Sequence, residues 1–432
     1  DIGADEIVAS ADNLAKNAII SPFTNSVSPG PINFTILIKN QGSNTVTTGS
    51  VAYILNGGSP VAVSLPSSIA PCDTLSVTLT GVVMSAGSNS FTVFTSQPNG
   101  NTDTYFGNDT IKTTYCTPLN GTYTVGGASP DYANFNAAVA ALNCGGVSGK
   151  VIFNVRAGTY NEAIQINPIY GSNDTNTVTF QSESGIPSSV ILQNNTGTAF
   201  TLKIFNGDNI IIRNIKIAAG SSPTSAVQII ASGDTCRNVT IYGNIISATQ
   251  QVFTTNSSGV FVTGYTPGLT VRKNTFSSVS YAVYLNGLNT LALYTPNLVI
   301  DSNNVTLIPS GSWYGFVINY CSNPTIKNNS ILMSTCCVGQ GISLTNISNG
   351  GVVANNKINN NGGLQYALYF QNINLNGETT PLMVYNNFVM MVGGTYSGYV
   401  TNSNYINLFN NSFNVYISSS SYNLYVNSSG TN

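Results

Sequence analysis

The side chains that could do chemistry are few and far apart. Histidine is absent, which removes the commonest general base, proton shuttle and zinc ligand together. Serine–histidine–aspartate and cysteine–histidine nucleophilic sites go with it. Hydrolysis by carboxylates, or calcium binding, needs acidic groups clustered within a few ångströms. Beyond residue 184 the only carboxylates are Asp208, Asp234, Asp301 and Glu378, so widely spaced that each reads as a turn residue. Glu162 and Arg156 flank an Ala157-Gly158-Thr159-Tyr160 turn and read as a structural ion pair. Tyr265, Trp313, Tyr314 and Tyr396 are aromatics of the kind that stack on sugars, although with 23 tyrosines in the chain packing is the commoner use. No catalytic residue, cofactor or metal is expected.

Seven cysteines, at 72, 116, 144, 236, 321, 336 and 337, form no CxxC pair that would suggest zinc or thiol redox chemistry. In an oxidising compartment the expected disulfide is Cys72 with Cys116; the spacing leaves other pairings open, and an odd total leaves at least one thiol without an intrachain partner. Only 6% of residues are charged and the net charge is −2, against roughly 25% charged in an average domain. The 13 Lys and Arg are scattered singly, so nucleic acid is not an expected partner. No apolar run approaches the roughly 18 residues of a membrane span. Beginning at Asp1 without methionine, the chain reads as a processed protein or an internal piece.

Around these residues, two kinds of organisation are legible. Residues 1–115 contain short alternating segments, INFTILIKN at 32, SVAYILNGG at 50, TLSVTLTG at 74, NSFTVFTS at 89 and NDTIKTTY at 108, which predict an immunoglobulin-like β-sandwich. A linker over 116–121 follows. In DYANFNAAVAALNCGG, apolar residues recur at three and four positions before Gly145-Gly146, predicting a helix at about 132–142.

Over 122–432 the chain becomes repetitive. An apolar-x-x-Asn-x-apolar phrase puts Asn244, Asn274, Asn303, Asn329, Asn356, Asn387 and Asn411 in register, at intervals of 24 to 31 residues, with Asn214 as a shortened earlier copy. A second alternating segment follows most copies, as in VQII at 227, AVYLNG at 282 and ALYFQN at 367. That period with short strands predicts a right-handed parallel β-helix capped by the helix, whose asparagines stack as an internal ladder; Asn328 is expected to point outward. The end at NSSGTN has no capping segment, so the β-helix is expected to continue past Asn432.

Residues 121–166 resemble the opening of pectin methylesterases and pectate-lyase-like proteins, whose catalytic Asp and Arg motifs are not found further on. SQPNGNTDTYFGNDTIKTTYC, LNGTYTVGGASPDYANFNAAVAALN, VIFNVRAGTYNEAIQI and NTVTFQSESG together resemble large secreted surface proteins of Bacteroidetes, with a CARDB-like sandwich before the β-helix. The resemblance implies export by the type 9 secretion machinery, display at the extracellular cell surface, and a role in adhesion of the gliding-motility type, with surface glycans or surface proteins as partners. Asp73-Thr74-Leu75 and Asp109-Thr110-Ile111 resemble the O-glycosylation signal of such proteins, which marks Thr74 and Thr110. The expected function is a non-catalytic adhesin or filament segment; the alternative is a polysaccharide-binding or carbohydrate-active β-helix, and a third reading is a structural spacer.

Overall fold

The computed structural model describes residues 11–22, 24–103, 106–194, 197–220, 225–247, 257–307, 313–333, 339–361, 364–416 and 421–427. The chain divides into two compact units, residues 1–120 with 140–148, and residues 121–139 with 149–432.

The first unit is an antiparallel sandwich of seven strands: β1 (Leu14–Ser21), β2 (Gly30–Asn40), β3 (Ser50–Leu55), β4 (Val61–Ser64), β5 (Thr74–Met84), β6 (Gly87–Ser96) and β7 (Thr110–Thr117). One sheet has the order β1-β2-β5 and the other β4-β3-β6-β7. Alternate residues turn inward, and Phe34 packs at 4.4 Å on Phe91 and at 5.0 Å edge-on to Tyr115 in the core.

The disulfide expected between Cys72 and Cys116 is not formed; Cys116 is bonded to Cys144, and Cys72 is a free, exposed thiol. The reason is strand direction. Cys72 precedes β5, where Thr74 lies opposite Lys39, whereas Cys116 pairs with Ser88, just beyond the far end of β5. The 11 residues of β5 separate them by roughly 35 Å, while a disulfide needs Cα atoms about 4.4–6.8 Å apart. Buried Cys236 and Cys321 are also free; Cys336 and Cys337 lie outside the described residues.

Helix α1 spans Phe135–Gly145, starting three residues later than expected. The Asp131 carboxylate accepts the Thr124 amide at 2.7 Å, and Tyr132 bridges to Val125, so the chain stays extended up to Asn134. Asn134 Oδ1 then accepts the Ala137 N–H at 2.9 Å, the pattern of an N-cap. Glu162, instead of pairing with Arg156, accepts the Phe135 and Asn136 amides at 3.2 and 2.8 Å. A carboxylate there answers both the unpaired N–H groups and the positive end of the helix dipole. Arg156 lies 3.8 Å from Glu183 and donates to the Ala128 carbonyl.

The second unit is a parallel β-helix. Its strands stack into three sheets of 11, 10 and 11 strands, each strand pairing with its equivalent in the next coil. In the first sheet Ile212, Ile241, Val271, Ile300, Ile326, Val353 and Val384 lie over one another and are buried. Phe135 stacks on Phe180 at 6.0 Å, so the start of α1 covers the early coils.

Between the first and second sheets the chain turns a tight corner, and there the asparagines stack. The Asn303 side chain makes four hydrogen bonds: its Nδ2 donates to Val271 O and Asn329 Oδ1, both at 2.9 Å, and its Oδ1 accepts the backbone N–H and Nδ2 of Asn274 at 2.9 and 3.1 Å. The same pattern runs through Asn244, Asn274, Asn329, Asn356, Asn387 and Asn411. Asn214 is not a rung; Ile215 occupies that position and its N–H donates to Asn244 Oδ1 at 3.0 Å. Asn214 holds the preceding position, which is left-handed in successive coils, with φ of 54° at Asn214, 55° at Lys273, 58° at Ser302 and 56° at Asn328. Asn tolerates this region better than most residues because its short amide bonds locally.

Close coil contacts also select glycine. Gly264 has φ +87°, and an added Cβ would lie 2.0 Å from the Ala231 carbonyl oxygen. Gly264→Ala is therefore expected to lower stability by about 1–3 kcal/mol, readable as a fall in the thermal midpoint.

Candidate functional site: a tyrosine face on the third sheet

The third sheet presents two outward columns in register. The first runs through Tyr281, Tyr314, Gln340, Tyr366, Tyr396 and Tyr422, and the second through Tyr284, Val317, Ser343, Tyr369, Tyr399 and Tyr425. Two tyrosines three apart share one face because the pair between them is buried, as Ala282-Val283 and Ala367-Leu368 are. A third column, Asn286, Asn319, Thr345, Gln371, Thr401 and Asn427, follows beside them.

The rings are ordered along the stack. Tyr281 and Tyr314 lie 4.5 Å apart at 3°, Tyr366 and Tyr396 5.3 Å at 8°, and Tyr369 and Tyr399 5.5 Å at 7°. Tyr396 and Tyr422 continue the first column at 5.4 Å, and Tyr399 and Tyr425 the second at 5.2 Å. Across columns the contacts are edge-on, as for Tyr281–Tyr284 and Tyr396–Tyr399. Ring faces are therefore largely spent on each other, leaving edges and phenol oxygens for a ligand. Gln340 interrupts the first column for one coil, and the buried Val317 and Ser343 interrupt the second for two, so the ring stacks end there. Burial pushes Tyr281 up to about 12, with Tyr314 and Tyr284 adding to it, and burial also raises Tyr366 and Tyr369. These phenols stay neutral donors and acceptors at ordinary pH, and over the coils from Tyr281 to Asn427 none of the three columns carries a charged side chain; Lys203 stands in the second column three coils before Tyr284.

Of the aromatics singled out from the sequence, Tyr314 and Tyr396 belong to this face. Tyr265 sits in a turn, and the Trp313 side chain lies outside the described residues. The other members announce themselves by Tyr-x-x-Tyr at 281, 366, 396 and 422, a signal visible only once the strand's paired inward residues are known. Thr74 is the exposed first residue of β5, and Thr110 the half-buried first residue of β7, its carbonyl accepting the Lys16 ammonium at 2.6 Å.

Of the carboxylates of the second unit, Asp208 and Asp234 share a neighbour in Thr235. Asp208 accepts the Thr235 hydroxyl at 3.2 Å and the Arg237 N–H at 2.5 Å, while Asp234 accepts the Thr235 N–H at 2.8 Å. Asp301 is buried, 2.7 Å from Arg272 and 2.9 Å from Asn328 Nδ2. Among the described residues no three His, Cys, Asp or Glu side chains form a metal-binding group, and no helix is long and apolar enough to cross a membrane.

No protein-family model matches the chain, and no curated protein matches it. Among solved structures, it is similar to the pectin methylesterase of Aspergillus niger, at 13% identity over 69% of this chain and 87% of that one, with a TM-score of 0.38. It is similar to the catalytic domain of a GH87 α-1,3-glucanase at 13% identity over 98% and 99%, TM-score 0.29. A CARDB domain from Pyrococcus furiosus covers 27% of this chain and 97% of its own, at 13% identity and TM-score 0.19. The expectation that the chain is not an enzyme is corrected here, because the solved structures matching its β-helix include carbohydrate-active enzymes. The fold itself is a parallel β-helix, preceded in sequence by an antiparallel β-sandwich.

Proposed function

We propose that the chain is an extracellular, carbohydrate-engaging β-helix protein whose tyrosine face binds a neutral polysaccharide. The observation that carries this reading is the uncharged set of three columns, tyrosines beside asparagines, glutamines and threonines, along successive coils. Coils repeat at about 4.8 Å, close to the length of one sugar unit in an extended chain, so successive sugars meet equivalent side chains. Absence of charge favours neutral glycans over polyuronides, which call for cationic partners. The Cys116–Cys144 disulfide supports an oxidising compartment. Export through a type 9 system to a cell surface is the setting proposed for it.

Affinity electrophoresis in gels containing neutral or acidic polysaccharides tests the reading. Retardation is expected in neutral glucans or related polymers. If each lost ring contact is worth about 1 kcal/mol, Tyr396→Ala or Tyr399→Ala should weaken binding roughly fivefold each. Binding that persists undiminished in a folded Tyr396→Ala/Tyr399→Ala double variant would sink the assignment of this face.

A second reading, cleavage of the bound polymer, is favoured by one observation: Asp208 and Asp234 meet at Thr235. Release of reducing ends, lost in Asp208→Asn and Asp234→Asn, would support it.

A further inference from the structure

Near the start of β1 in the sandwich, three aspartates have contrasting surroundings. Asp12 is well served: Asn99 and Asn101 donate to its two oxygens at 2.8 Å each and Asn44 at 3.2 Å, and these amides hold its carboxyl below the usual range. Asp103 Oδ2 accepts the Leu14 N–H at 2.9 Å. Asp109 is only 7% exposed, yet its Oδ1 is buried and accepts no hydrogen bond.

The residue beside it has the same defect. Asn108 Oδ1 is buried without a donor, while Asn108 Nδ2 donates to Asn13 Oδ1 and Gln41 Oε1 at 3.0 Å each. The Asp103 carboxylate faces Asp109 with like charge, and the Lys16 ammonium opposes it. Lys16 is itself engaged, its ammonium donating to Thr110 O at 2.6 Å.

Two buried oxygens on consecutive residues without donors, with a second carboxylate acting on Asp109, describe a place short of positive charge. Hydrogen-bond donors have been supplied generously to Asp12 and withheld here. Every candidate ligand is an oxygen, with no thiol or imidazole, which selects a hard cation over a transition metal. We propose that the Asn108–Asp109 turn binds one hard divalent cation of the calcium class, with Asp109 Oδ1 and Asn108 Oδ1 as ligands and Asp103 supplying a second negative charge. The site lies in the sandwich and is independent of the glycan reading of the β-helix.

The experiment is calcium titration of the full chain after chelator treatment, followed by calorimetry and by thermal unfolding, with magnesium as comparison. Saturable binding of one calcium per chain is expected, in the roughly 10⁻⁴–10⁻³ M range of extracellular modules. At ten times the dissociation constant the midpoint of unfolding should rise by roughly 3 °C or more. Asp109→Asn, which keeps the shape and removes the charge, should lose most of this response. Asn108→Ala provides a second reading should Asp109→Asn fail to fold. No calcium binding by the native chain, or undiminished binding by folded Asp109→Asn or Asn108→Ala, overturns the proposal.

Discussion

Replacing Asn329 by alanine should lower the stability of the β-helix by about 3 kcal/mol or more, since three buried groups lose their partners at about 1–3 kcal/mol each. They are the backbone N–H and Nδ2 of Asn303, which both donate to Asn329 Oδ1 at 2.9 Å, and the Ile300 carbonyl, which accepts Asn329 Nδ2 at 3.0 Å. No water can reach them, as Asn329 is 1% exposed. The neighbouring change, Asn328→Ala, should cost only about 1–2 kcal/mol, chiefly for losing the amide that lets a non-glycine residue hold positive φ, because the Asn328 amide bonds Asp301 and Asn355 on the outer side. Thermal or urea unfolding of both variants by circular dichroism gives the comparison. Equal losses at 328 and 329 would remove the ladder from the account of stability.

The second large effect concerns the sandwich. Cys116 and Cys144 are 28 residues apart, and a loop of that length restricts the unfolded chain by about 3–4 kcal/mol. Cys144→Ser should therefore destabilise the first unit by that order, and reducing agent should do the same to the native chain while leaving Cys144→Ser unchanged. Cys72→Ser, at an exposed free thiol, should be nearly silent. If Cys72→Ser were the damaging change, the pairing through Cys144 would have to be abandoned.

Much of the architecture was legible because the β-helix repeats its own errors as well as its rules: one asparagine says nothing, seven in register specify a coil. The sandwich was harder. β1 escaped notice because bulges between Lys16 and Ala18 and between Ile19 and Ser21 break its alternation. β4 escaped because Val61–Ser64 is an edge strand with almost nothing buried, so no inward face marks it. Cys144 could not be chosen over Cys72 from spacing, since the pairing depends on strand direction and on the approach of Gly145 to Thr117. Glu162 departs from the expected ion pair for a related reason. Its natural partner in sequence is Arg156, but folding presents it with the free amides of α1. The tyrosine face lay in plain sight as Tyr-x-x-Tyr, hidden by the assumption that outward residues on a strand are two apart.

The ladder also has a direction. In every rung the amide oxygen faces the preceding coil, and from Asn244 to Asn387 one amide hydrogen of each rung donates to the next, ending at Asn411. Seven side-chain dipoles therefore point the same way, and hydrogen bonds in such a chain polarise one another, each by about a tenth to a third. The row behaves as a single polar filament inside an almost uncharged protein, negative toward Asn244 and positive toward Asn411. A break in its middle would weaken rungs on both sides that the substitution never touches.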